Sequence, residues 1–136
     1  MDQRSIQEIE NEIIDEFSVF TDWMDKYEYI IELGKSLPMI DPRQKTEENL
    51  IKGCQSRVWL SSEYRDGKLW FAADSDAIIT KGIISLLVRV FNGHAPEDIL
   101  ISDFGFVEQI GLKDNLSPTR ANGLVSMIKQ IQSYAL

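Results

Sequence analysis

The sequence predicts an α+β fold: a small three-stranded antiparallel sheet with helices packed mainly on one face. Two consecutive β-rich stretches meet at Asp66-Gly67, a dipeptide suited to a two-residue hairpin, so these strands are antiparallel neighbours and not partners in a helical crossover. Segments of helical period flank them on both sides. The 136 residues are 43% hydrophobic, enough to fill one core. No linker, internal repeat or low-complexity tract divides them, and a single domain over residues 1–136 is expected.

The first helix is expected from Ser5, which forms a capping box with Glu8, and Ile6, Ile9, Ile13, Phe17 and Phe20 recur at helical spacing. A second helix turns Trp23, Tyr27, Ile30, Ile31 and Leu33 inward, and Gly34 with Leu37-Pro38 supplies its stop. A charged loop through Asp41-Pro42 follows. From Cys54 onward Val58, Leu60 and Tyr64 favour strand, the hairpin turns at Asp66-Gly67, and Lys68-Leu69-Trp70-Phe71 returns; Trp59 is expected in the core. Ile78 to Phe91 is nearly all apolar and predicts a buried helix, opened by Asp74-Ser75-Asp76 as a cap region and closed by Asn92-Gly93. Pro96 starts a short helix through Leu100, and another short one is expected over Val107 to Gly111. The last helix has Ser117 as N-cap, Pro118 in its first turn, and an inward stripe of Ala121, Leu124, Ile128 and Ile131.

A formal net charge of -8 repels phosphate backbones and anionic headgroups, so neither nucleic acid nor a membrane surface is the expected partner. The longest apolar run, Ile83 to Val90, is broken by Ser85 and Arg89 and falls short of the roughly 20 residues that cross a bilayer. The amino terminus passes straight into an acidic amphipathic pattern without a basic region and long hydrophobic stretch, and a cytoplasmic location is expected.

One cysteine and one histidine cannot close a four-ligand metal site within one chain, and no CxxC pair is present to resolve an oxidised thiol. No metal is therefore expected, and whatever Cys54 receives must leave to another molecule. Gly53-Cys54-Gln55-Ser56 lies between a polar loop and a strand, where a side chain can be offered to a partner from a fixed base, and Gly53 lets the chain bend sharply. A buried, inert cysteine packing like a small hydrophobe is the competing reading.

The segment Gly53-Cys54-Gln55-Ser56-Arg57-Val58-Trp59 resembles the GCxSxVW signature of the SufE family of sulfur acceptors. Further blocks resemble that family in order along the chain. They are Trp23 to Gly34 with Leu37-Pro38; Asp74-Ser75-Asp76 with Ile79 and Gly82; and Leu116-Ser117-Pro118-Thr119-Arg120 with Gly123-Leu124. Ala95, before Pro96, departs from the pattern, in which a Thr is expected.

The resemblance implies a SufE/IscU-like fold and a sulfur acceptor whose Cys54 attacks the terminal sulfur of a persulfide on a partner cysteine desulfurase. It implies stimulation of that enzyme and relay of sulfur to an iron-sulfur scaffold of the SufBCD type. The desulfurase, of SufS or CsdA type, owns the pyridoxal phosphate, so this chain needs no cofactor and acts as a carrier accessory to an enzyme; a weak homodimer is compatible with the pattern. Gln55 and Ser56 either bond the cysteine loop or incoming persulfide or satisfy local backbone. Arg120 sits in the first turn of a helix, where the macrodipole disfavours a cation, so it either serves beside the Cys54 loop or is a surface arginine or a structural ion pair, with Asp74 or Asp76 as partner. Asp74 and Asp76 are either helix-cap acids or partner-docking groups. A cysteine-independent activator and a cysteine hydrolase using Cys54 with His94 are the alternatives.

Overall fold

The computed structural model describes residues 4–37, 40–54 and 56–136. Helix α1 runs Ile6–Ser18, and its capping box forms as expected: Ser5 Oγ accepts from the Glu8 amide and the Glu8 carboxylate accepts from the Ser5 amide, both at 3.1 Å. Phe20 lies beyond the helix end and instead packs its ring on Tyr29, 5.1 Å between centroids. Helix α2, Trp23–Gly34, is capped by Asp22, whose carboxylate accepts from the Met24 amide. Its stripe is only partly sealed, since Ile30 is buried while Trp23, Tyr27, Ile31 and Leu33 are half-buried against the core. Pro38 lies outside the described residues.

The loop holds two short 3-10 turns, Pro42–Gln44 and Glu47–Asn49. Strands β1, Val58–Arg65, and β2, Lys68–Ser75, then pair antiparallel from Val58 with Ser75 to Arg65 with Lys68. Asp66 and Gly67 both take positive φ, 56° and 78°, which matches the right-handed twist of the hairpin they connect. Period-2 alternation buries Val58, Leu60, Leu69, Phe71 and Ala73 toward the helices.

Among the described residues the sheet has two strands and not the three expected. At each outer edge a single-residue bridge stands in place of a strand, Leu50 with Trp59 and His94 with Leu69. The first is cut short because Gly53, at φ 94°, turns the chain away just after Ile51 donates to the Val58 carbonyl at 2.8 Å. Trp59 is half-buried on the other face of β1, under the Lys45 ammonium at 5.2 Å, and not in the core.

Helix α3, Ile78–Phe91, has the bounds the sequence predicts and lies on β2 and α2. Its crossing with α2 is a backbone contact: a Cβ on Gly82 would stand 2.2 Å from the Ile30 carbonyl oxygen, so only glycine fits. The cap expectation is corrected, because the N-cap is Ala77 and no side chain caps the helix. Asn92 closes it and accepts from the Phe71 amide at 2.6 Å, pinning the helix end to β2.

Helix α4, Pro96–Ile101, has Ala95 as an N-cap without a side-chain bond; a Ser or Thr cap adds about 1 kcal/mol at such positions. Helix α5 occupies Gly105–Gln109, two residues earlier than expected, because the buried Glu10 carboxylate accepts from the Phe106 amide at 3.2 Å and fixes its first turn. Gly111, at φ 78°, then starts α6, Leu112–Asn115, a helix that the sequence pattern does not announce. Helix α7, Pro118–Ala135, is capped by Ser117 and buries Gly123, Leu124, Met127, Ile131 and Ala135; Ala121 and Ile128 are half-buried.

Candidate functional site

Cys54 is placed by three elements. The turn before β1 carries it, with Gly53 in the left-handed region, where a Cβ would stand 2.4 Å from Ser126 Oγ. Helix α7 passes beneath, and the absence of a side chain at Gly123 lets the sulfur approach: Cys54 Sγ lies 3.6 Å from the Gly123 carbonyl oxygen, to which the thiol donates. Helix α3 closes the far side with Thr80 and Ile83, both buried.

Together these leave a cavity of about 80 Å³ next to the half-buried sulfur, completed by Ser56, Thr119, Arg120 and Met127. Burial pushes the Cys54 thiol above its ordinary value, and among the described residues no neighbouring charge counters it. The resting group is therefore a neutral thiol donating to a carbonyl.

A model of the SufE family, the Fe-S metabolism associated domain, matches residues 11–135. The chain belongs to the SufE family. Membership places it in iron-sulfur metabolism. A SufE-like protein of Rhizobium etli is 40% identical over 130 residues, covering 92% of this chain and 88% of its own. Another, from Rhizobium meliloti, is 40% identical over 130 residues, covering 92% and 93%. A third, from Synechocystis, is 35% identical over 124 residues, covering 91% and 78%. The fold also matches the solution structure of a hypothetical protein from Thermus thermophilus, at TM-score 0.76, 20% identity and 93% coverage of each chain.

Among the residues of the SufE-like blocks, Cys54, Ser56, Thr119, Arg120 and Gly123 meet at one cavity. Gln55 lies outside the described residues. Arg120 is exposed and donates from Nη1 to the Tyr27 hydroxyl at 2.6 Å, with its guanidinium 5.8 Å from the centre of that ring. It makes no ion pair with Asp74 or Asp76, so that reading is corrected. Asp74 is taken by Lys45 at 2.6 Å and Lys81 at 3.2 Å. Burial alone would raise the Asp74 carboxyl, but hydrogen bonds from Lys45, the Ser75 amide and Lys81 outweigh it and hold it below its usual range. The exposed Asp76 accepts from the Arg57 amide at 3.0 Å and donates its own amide to the Arg57 carbonyl at 3.2 Å, tying the entrance of β1 to the start of α3.

His94 stands away from this cavity. It bridges the edge of β2, its Nε2 lies 3.0 Å from the Arg4 carbonyl, and it lines a separate pocket with Ser5, Glu10 and Asp98. The Cys54–His94 pairing that a hydrolase needs is not made. Nothing in the sequence singles out Thr80, Ile83 or Met127 for the site, and Tyr27, though inside a SufE-like block, reads there only as an inward residue of its helix. Of the residues beneath the sulfur only Gly123 leaves a signal, since a glycine inside a helix marks close approach.

No helix among the described residues is long and apolar enough to cross a membrane.

Proposed function

We propose that the protein is a sulfur acceptor that takes persulfide sulfur from a partner cysteine desulfurase onto Cys54, stimulates that enzyme, and hands the sulfur on to an iron-sulfur assembly scaffold. The observation that carries this reading is the single thiol on a glycine-hinged turn, seated over a cavity of about 80 Å³ that it does not fill. A water molecule takes about 30 Å³ in the liquid, so there is room for one added sulfur atom.

The transfer balances without an oxidant or reductant. Cys54 loses its proton, its thiolate attacks the terminal sulfur of the donor persulfide, and a new S–S bond forms on Cys54 Sγ. The donor's own S–S bond breaks and its cysteine leaves as a thiolate. Onward delivery repeats the step with Cys54 as the leaving thiolate. Buried beside Ile83 and Met127, the terminal sulfur is shielded from small thiols in water, while Gly53 permits the turn to swing out for reaction. Asp76, exposed at the entrance of β1, is available to orient a partner by charge. The chain itself uses no pyridoxal phosphate, which belongs to the desulfurase, and the setting for this exchange is the cytoplasm.

The test mixes the protein with a cysteine desulfurase and free cysteine, then weighs it. One added sulfur on Cys54, with desulfurase turnover stimulated by the wild-type chain and not by Cys54→Ser, is the expected result. Full stimulation by Cys54→Ser makes the protein a cysteine-independent activator and sinks the carrier reading.

A further inference from the structure

Arg120 presents an unexplained charge. It occupies the first turn of α7, where the helix dipole opposes a cation, and among the described residues no carboxylate pairs with it. Cys54 and Arg120 are the ionisable groups among the described residues lining the cavity; Thr80 and Ile83 from α3 and Gly123 and Met127 from α7 are neutral. A cation beside a thiol favours the thiolate, yet this one is turned elsewhere. Its Nη1 donates to the Tyr27 hydroxyl at 2.6 Å, and the aromatic ring lies along the guanidinium.

Tyr27 is suited to hold it. Its ring is half-buried against the core from α2, a fixed post, whereas Arg120 is a long exposed lever on α7. The thiol meanwhile donates to the Gly123 carbonyl, a bond that only the protonated form makes. Both hydrogen bonds therefore favour the same resting state, a protonated sulfur and a diverted cation.

We propose that Tyr27 is a positioning residue that parks Arg120 away from the Cys54 sulfur, and that breaking the Tyr27–Arg120 hydrogen bond releases the arginine to stabilise the reacting thiolate. This rests on Cys54 as the reacting thiol and deepens the sulfur-acceptor reading. A partner that engages the exposed end of Arg120, or shifts α2 against α7, switches the thiol on only while docked.

The experiment follows alkylation of Cys54 by iodoacetamide against pH, by mass spectrometry, in the whole protein without a desulfurase. Tyr27→Phe keeps the ring and removes the hydroxyl. Its alkylation midpoint is expected to fall by about half a pH unit, giving about threefold faster reaction at neutral pH. Adding Arg120→Gln is expected to abolish that gain. A midpoint that stays or rises in Tyr27→Phe overturns the proposal, and so does a gain that survives Arg120→Gln, which would assign it to a loosened loop. Because no sulfur donor takes part, this outcome is independent of whether Cys54 accepts sulfur.

Discussion

The Arg89 cluster and the Cys54 cavity both withdraw ionisable groups from water, and they treat them in opposite ways. Around Arg89 every charge is answered: its guanidinium donates to Glu12 at 2.7 Å and to both oxygens of Glu16, while Tyr29 donates to Glu16 at 2.5 Å. The Arg89 hydrogen bond holds the Glu16 carboxyl below its ordinary range, and burial, reinforced by Glu16, pushes Tyr29 up to about 12. Around Cys54 burial raises the thiol, and among the described residues no charge answers it. The first arrangement braces α1, α2 and α3 against one another; the second leaves a group whose charged state is disfavoured until something moves. A satisfied network suits a scaffold, and an unanswered one suits a reactive site.

The two regions share one support, the crossing of α2 and α3. Helix α2 carries both tyrosines, and α3 carries Arg89 together with Thr80 and Ile83 of the cavity wall. Gly82→Ala strikes that crossing and has the largest expected effect. Its Cβ would meet the Ile30 carbonyl at 2.2 Å, a backbone atom that moves only with the helix, and the loss is about 3 kcal/mol in denaturant unfolding. Faster Cys54 alkylation is expected in the same variant, since the cavity wall shifts. Lowered stability with an unchanged alkylation rate would show that the cavity does not depend on this crossing.

Arg89→Ala separates the two. It removes the hydrogen-bonded cation of Glu16 and leaves Glu12 with Arg4 as its partner, and because the side chains remain about a third exposed the expected loss is about 2 kcal/mol, less than for a fully buried pair. Cys54 alkylation should be unchanged. The acid limb gives the sign: Glu16 has a folded value below the usual 4.5, so its contribution is complete above that pH and is lost as pH falls through the folded value. Glu10 runs the other way, raised chiefly by burial, and favours folding more as pH falls. Wild type and variant both contain Glu10, so it cancels and the stability difference between them reports the carboxylates that Arg89 holds, Glu16 with its lowered value among them. That difference should narrow below about pH 4.5; a constant gap across the acid limb would refute the brace.

What sequence could reveal divides along the same line. The hairpin and α3 were legible because their causes are local: Asp66-Gly67 sets its own turn, and an apolar run closed by Asn92-Gly93 needs no distant partner. The early start of α5 was not, because Glu10, far away in sequence, supplies the bond that fixes its first turn. The expected third strand failed for a related reason, as the bend at Gly53 that presents Cys54 also ends the pairing of Leu50 with β1. Cys54 stood out by being the single thiol, and Arg120 by defying the helix dipole. Thr80, Ile83 and Met127 look like ordinary core residues until α3 and α7 are brought together, and Tyr27 acquires its meaning from Arg120, 93 residues later.

The smallest change tests whether the cavity is a functional space or a packing gap. Gly123→Ala places a Cβ 3.4 Å from Cys54 Sγ and 3.8 Å from its Cα, ordinary contact that the structure accepts without displacement. Alanine gains about 1 kcal/mol of helix propensity over glycine, offset by tighter packing, so stability should change by less than about 1 kcal/mol. The added methyl nonetheless fills space beneath the sulfur. Slower alkylation of Cys54 and poorer retention of an added sulfur, at nearly constant unfolding midpoint, are expected by mass spectrometry and denaturation. A variant that keeps its persulfide as long as wild type would mean that the sulfur is not stored beneath the turn, and the contrast with the Arg89 cluster would then reduce to one of packing.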